Sequence, residues 1–284
     1  MSRIFDALRR SGLEQTGVEY TDMVSVATKV FEAPTGEERE TPAGSLGDFP
    51  SVEILLRKLS RAVFLSEPES LAAEKFRFLG VRMRQLQQSR QLKRVLVTSA
   101  MAEEGKSLVS LNLAGALARR RKQKVLLIEG DLRRPALAQE LGLSKLHGLA
   151  EWLQGDWESV SNIYHLEEPG FWLMPAGHPP ANPLELMQSG RLSFLMGQLT
   201  NLFDWIIVDS PPLLPLADTT VWARVTDGAL LVVREGTTER DQLKRGLELL
   251  KKADVLGVVL NACSNANHRN YYQRYAPLRS SGKG

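Results

Sequence analysis

The sequence predicts an α/β fold with a mostly parallel central sheet and helices on both faces. Six short runs of aliphatic and β-branched residues recur along the chain. Each is continuously apolar rather than alternating, as in a strand covered on both sides. Stretches of helical length separate them, and strands that alternate with helices pair in parallel. The 284 residues, 43% hydrophobic and 24% charged, suffice for one large domain with extensions.

Taken in order, residues 1–12 have the spacing of a short amphipathic helix, with Ile4, Phe5 and Leu8 on one side. It is too short to be stable alone. Residues 33–51, rich in Pro, Gly, Glu and Ser, read as a flexible linker. Residues 1–50 are thus expected to be a largely disordered extension and linker, and residues 51–263 the folded domain. A helical pattern runs from Ser66 to Gln91, with "EPES" as its start. The predicted strands follow: RVLVTS (94–99), KVLLIEG (124–130), FWLMPA (171–176), WIIVDS (205–210), GALLVV (228–233) and LGVVLN (256–261). Ligands of such sheets bind beyond the carboxyl ends of the strands, so the chemistry is expected just after these runs.

Several classes are excluded. The longest apolar runs are far short of the ~20 residues a membrane-spanning helix needs. The opening MSRIFDALRRSG is interrupted by charge, unlike a signal peptide. A single cysteine, Cys263, cannot form an internal disulfide and fits a reducing cytoplasm. Following an apolar run, it reads as a buried, inert thiol. Residues 1–50 carry 5 basic and 9 acidic side chains, net −4, and residues 51–94 carry 10 and 4, net +6. The basic stretch reads as solvated helix faces, with attraction to an acidic partner or anionic membrane as the alternative.

After the first of these runs comes AMAEEGKS, Ala100 to Ser107. This matches a phosphate-binding loop, or P-loop, with alanine at its first glycine position. Ala100, Met101, Ala102, Glu103 and Glu104 would wrap phosphates with backbone N–H groups, ahead of the positive end of the next helix. Gly105 allows close approach, Lys106 neutralises β- and γ-phosphates, and Ser107 offers a hydroxyl to Mg²⁺. Leu108 continues into the helix. The second run ends in Glu129 and Asp131, and the fourth in Asp209. Strand-end carboxylates beside a nucleotide hold Mg²⁺ or its waters. Together these residues predict a Mg²⁺–nucleotide site, with Ser107, Asp131 and Asp209 around the metal.

With these motifs in hand, the chain resembles the cytoplasmic catalytic domain of bacterial tyrosine kinases, the BY-kinases of capsule and exopolysaccharide export. The resemblance spans roughly Glu67 to Tyr275, through ESLAAEKFRFLGVRM, VTSAMAEEGKSLVSLNLA, VLLIEGDLRRP, WIIVDSPP, TDGALLVVREGTT, LGVVLNAC and a tyrosine-bearing tail. It implies a P-loop fold and a catalytic set of Lys106, Glu129, Asp131 and Asp209. Glu129 stands where the family has an aspartate that helps activate the attacking hydroxyl, Arg133 completes the second acidic motif, and Asn261 would lie near adenine. Leu108 stands where the family commonly has threonine. Glu74 and Arg77 match the family's interface helix, whereas Gly80 and Arg82 replace its arginine and asparagine. Met101 and Ala102 stand where partition ATPases carry a signature lysine.

The resemblance also gives meaning to the chain end. Three of the five tyrosines, Tyr271, Tyr272 and Tyr275, fall in its last fourteen residues. The tail, 264–284, carries four basic and no acidic side chains and is expected to be flexible. These tyrosines are the expected phosphoacceptors of an ATP-dependent autokinase that regulates polysaccharide polymerisation and export. The alternative is a regulatory or scaffolding P-loop ATPase of the same assembly without kinase activity. Family habit implies a separate membrane co-polymerase, a chain-length determinant, as activator. It also implies a possible homo-oligomer, recruitment from the cytoplasm to the inner face of the membrane, and no nucleic-acid partner.

Overall fold

The computed structural model describes residues 46–263 apart from 47–48, 55–60, 120–122, 144–145, 156–159, 161, 215 and 252. The expected helix at 1–12, most of the expected linker, and the tail with Tyr271, Tyr272 and Tyr275 lie outside the described residues. Among the described residues, no helix is long and apolar enough to cross a membrane.

All six predicted strands form. In chain order the strands are β1 (Ser51–Val52), β2 (Arg94–Ser99), β3 (Val125–Glu129), β4 (Tyr164–Leu166), β5 (Phe171–Met174), β6 (Trp205–Asp209), β7 (Gly228–Arg234) and β8 (Val255–Asn261). The helices are α1 (Val63–Ser66), α2 (Leu71–Ser89), α3 (Lys106–Ala118), α4 (Leu137–Glu140), α5 (Leu149–Gln154), α6 (Pro183–Met187), α7 (Arg191–Leu202), α8 (Asp218–Arg224) and α9 (Arg240–Leu249). The strands make one eight-stranded sheet in the order β1-β4-β5-β3-β6-β2-β7-β8. Every pairing is parallel except the β4–β5 hairpin.

The continuous apolar runs have a simple cause. Along β2, Val95 and Val97 face one core, with Met83 of α2 and Val109, Leu113 and Leu117 of α3. The intervening Leu96 faces the other core, with Trp152 of α5, Leu195 and Leu199 of α7 and Trp222 of α8. The same alternation holds along β3, β6 and β7. A strand sandwiched between two helical layers needs apolar side chains at every position, and α3, buried from Val109 to Ala118, is apolar there apart from Ser110 and Asn112, whose side chains are hydrogen-bonded.

Three features differ from the sequence reading. The helix expected over 66–91 is α2, which starts only at Leu71, because the Ser70 hydroxyl at the end of EPES accepts from the Ala73 N–H at 3.1 Å and caps it; the short α1 before it was not expected. The run 256–261 does form β8, but at the sheet edge, so Val258 and Leu260 are exposed rather than buried. Cys263, expected to be buried, is exposed, because it lies beyond the end of that edge strand. Partial burial and the nearby Glu235 charge push its thiol pKa up, so it stays protonated at neutral pH.

Candidate active site

The sheet order brings the strand ends together. Strand β6 lies between β3 and β2, with Asp209 paired in register to Glu129 on one side and Val97 on the other. The phosphate loop, which leaves β2, therefore hangs directly over Asp209. Gly105 closes the loop in the left-handed region at φ 93°, and α3 begins at the next residue, Lys106. Any side chain at Gly105 would be strained and would also meet the Asn261 amide, 2.1 Å from an ideal Cβ.

The loop is fixed from beneath by Glu104, a buried carboxylate. It accepts from the Met101 N–H at 2.9 Å and from the Thr238 hydroxyl. The Asn261 side chain donates to the Glu104 carbonyl at 2.9 Å, and Arg234 donates to the Glu103 carbonyl at 3.1 Å. Asn261 is thus a brace for the loop. Neither Thr238 nor Arg234 was foreseen from the sequence, because nothing local ties them to a loop over a hundred residues away.

Lys106 reaches across to Asp131, with Nζ 3.4 Å from Oδ2. The other Asp131 oxygen accepts from the Arg133 and Arg134 backbone N–H groups at 3.3 and 3.0 Å. Asp209 is fully enclosed and receives hydrogen bonds from the hydroxyls of Ser107 and, at 3.1 Å, Ser110. Burial pushes its pKa up to about 6, only partly offset by Lys106 and the hydroxyls, with the Glu129 charge adding to the rise. Lys106, Ser107, Asp131 and Asp209 therefore lie together at these strand ends. Their donor set is a cation for phosphate plus hydroxyl and carboxylate oxygens, which suits a hard divalent ion such as Mg²⁺. The left-handed loop and the N-terminus of α3 suit a polyphosphate.

Glu129 is placed differently from its neighbours. One oxygen accepts from the Leu137 N–H at 2.5 Å and the other from the Ala176 N–H at 3.0 Å. The carboxylate is buried, and desolvation raises its pKa against the pull of those amides. It staples the loop carrying Asp131 to the segment after β5. Glu129→Gln keeps one acceptor oxygen but leaves one buried N–H without a partner, so a stability loss of about 1–3 kcal/mol is expected in denaturant titration. Arg133 forms a fork on Asp218 of α8, at 2.7 and 3.1 Å, and so anchors the far side of the Asp131 loop. Asp218 was missed by sequence reading, since an aspartate opening a helix carries no mark of a partner 85 residues away.

Comparison with known proteins agrees with this geometry. Residues 95–280 match the CobQ/CobB/MinD/ParA nucleotide binding domain. The tyrosine-protein kinase YwqD of Bacillus subtilis (strain 168) is 32% identical over 217 residues, covering 76% of this chain and 91% of YwqD. The succinoglycan biosynthesis transport protein ExoP of Rhizobium meliloti (strain 1021) is 34% identical over 211 residues, covering 72% of this chain but only 26% of ExoP. The structure of the kinase domain of Escherichia coli tyrosine kinase ETK superposes with a TM-score of 0.67 at 30% identity, over 72% of this chain and 82% of that one. A phosphate loop braced over two acidic strand ends is common to many nucleotide-binding proteins; the extent of identity with YwqD and ETK narrows the choice, and the chain belongs to the bacterial tyrosine-protein kinases.

Proposed function

We infer that the chain transfers the γ-phosphate of ATP to tyrosines of its own C-terminal tail, Tyr271, Tyr272 and Tyr275. The observation that carries this reading is the Lys106–Asp131 pair beside buried Asp209, at the mouth of α3. A bound triphosphate would take the place of Asp131 as partner of Lys106. Residues Ala100 to Leu108 would enclose it, and the Asn261 brace would keep the loop in shape. Ser107, Asp131 and Asp209 would hold Mg²⁺ directly or through water; the ion supplies charge neutralisation for the transferring phosphoryl group.

Phosphoryl transfer demands positioning and electrostatics more than covalent help from the protein. The tyrosine oxygen bonds to the γ-phosphorus as the bond to the bridging oxygen breaks, and the hydroxyl proton passes to a carboxylate of the strand-end cluster. Glu129 acts as a positioning residue through the Leu137 and Ala176 amides. Its Gln variant is then expected to lower kcat less than about tenfold, whereas loss of a general base costs about 10²–10⁴-fold.

The basic tail suits approach to a polyphosphate, and each added phosphate brings about −1.5 to −2 charges. Three would take the tail from net +4 to near zero or below, weakening contact with acidic surfaces and giving an assembly switch. ExoP, by its name, is a transport protein of succinoglycan biosynthesis. That supports a role in exopolysaccharide polymerisation and export, beside a separate membrane co-polymerase that recruits the chain to the inner face of the membrane. The test is phosphotyrosine mapping by mass spectrometry after incubation with Mg²⁺ and ATP, with and without such a partner's cytoplasmic tail. The Tyr271→Phe/Tyr272→Phe/Tyr275→Phe variant is expected to lose nearly all phosphotyrosine while still binding ATP. Unchanged phosphotyrosine in that variant would contradict the assignment of the acceptors.

A further inference from the structure

Two of the chain's four histidines, His147 and His178, lie in separate loops yet meet at one carboxylate, Glu151. His178 Nδ1 is 2.6 Å from Glu151 Oε1, and His147 Nδ1 is 3.8 Å from the same oxygen. The two rings are 5.7 Å apart, tilted by 56°. A ligand atom from each of the three residues lies within 4.8 Å of the others. None of the three takes part in the nucleotide site described above.

The scaffold beneath this cluster is stiff. Glu151 belongs to α5, and one of its oxygens accepts from the Gly148 N–H at 2.7 Å while the other accepts from the His178 N–H at 2.9 Å. The segment after β5 lies hard against α5, through Leu149 N–H to the Pro175 carbonyl at 2.8 Å and Ala150 N–H to the Ala176 carbonyl at 2.9 Å. Gly177, at φ 80°, has room only for hydrogen, since an ideal Cβ would fall 1.9 Å from Glu151. The carboxylate is thus held in place and mostly covered, whereas both imidazoles are more than half exposed.

From this convergence we propose that His147, Glu151 and His178 form a binding site for a divalent transition cation of the zinc class. Two imidazole nitrogens and one carboxylate oxygen make a borderline donor set, suited to Zn²⁺, Co²⁺ or Ni²⁺ and poorly suited to Mg²⁺. Three protein donors leave coordination positions for water. A bound ion would tie α5 to the segment after β5. That segment also carries Ala176, whose N–H holds Glu129. The site is therefore placed to stiffen one anchor of the nucleotide centre without entering it.

The test is a titration of the chelator-stripped full chain with Zn²⁺ alone, in excess Mg²⁺ to occupy the hard oxygen donors, followed by calorimetry. Wild-type protein is expected to bind one equivalent that the His147→Ala/His178→Ala variant does not bind, or binds at least about tenfold more weakly. The His165→Ala/His268→Ala variant is expected to keep it. Co²⁺ in place of Zn²⁺ is expected to give visible absorption that only the first variant loses. Both imidazoles are exposed, so circular dichroism should show the variant folded; if it does not, His147→Gln alone gives the same comparison. Equal Zn²⁺ binding by wild type and variant, or none by wild type, would overturn the site.

Discussion

Lys106→Met is expected to lower tyrosine phosphorylation by at least about 10²–10³-fold, the scale of losing one preorganised charge contact to a transition state. The side chain is mostly buried and its ammonium stands by Asp131 and Asp209. Removing it leaves these two carboxylates without their cation at the entrance to α3. Such a pocket repels a triphosphate, so both ATP affinity and turnover should fall. Lys106→Arg should not rescue fully, since a planar, longer guanidinium cannot reproduce a compact point charge next to Gly105. The variant's own stability should change little or fall, because Asp209 loses a charge that favours its ionised form. Filter binding of labelled ATP and quantified phosphotyrosine, with thermal unfolding as control, checks each part.

Asp209→Asn is expected to do the opposite to stability while also abolishing activity. The ordinary aspartate pKa is 3.8, and in the folded protein Asp209 is pushed up to about 6. The folded state therefore holds this proton to higher pH than the unfolded chain does. Between about pH 4 and 6 the nucleotide-free protein loses stability at this site as pH rises, and above pH 6 the loss is complete. Two pKa units correspond to roughly 3 kcal/mol. Asparagine keeps an oxygen for the Ser107 and Ser110 hydroxyls and removes the buried charge. The variant should thus melt several degrees higher at pH 7, at roughly 2–4 °C per kcal/mol in a domain of this size. Near pH 4 the two proteins should melt together. Turnover should fall at least about 10²-fold, because the proposed Mg²⁺ ligand is gone. Calorimetric melting across pH 4–8 for both proteins is the measurement. A buried carboxylate that costs stability in the empty site is strain held for function.

What could be read in the sequence follows from how local each signal is. Strands β2, β3, β6 and β7 announce themselves because burial on both faces demands an unbroken apolar run. Lys106 and Ser107 are legible because the phosphate loop is one contiguous segment, and Asp209 because it ends an aliphatic strand. β1 and β4, of two and three residues, are too short to show any period. β8 has the composition of a central strand, yet only its partner β7 decides that it is an edge; composition says nothing of neighbours. Asp218, Thr238, Glu151 and the bracing role of the Glu104 side chain escaped for a related reason. Each is a common surface residue type whose role exists only through a partner distant in sequence. Glu129 shows the same limit from the other side. Its place in the motif is legible, but its grip on Leu137 and Ala176 depends on the segment after β5 arriving overhead.

The central claim is that these strand ends deliver the γ-phosphate of ATP to tyrosine rather than to water. A single-turnover experiment with γ-labelled ATP and Mg²⁺, run with the cytoplasmic tail of the proposed membrane co-polymerase, follows the label directly. Label accumulating on tail tyrosines, and lost in Lys106→Met, is the predicted result. Label released wholly as inorganic phosphate, with the tyrosines unmodified, would contradict it.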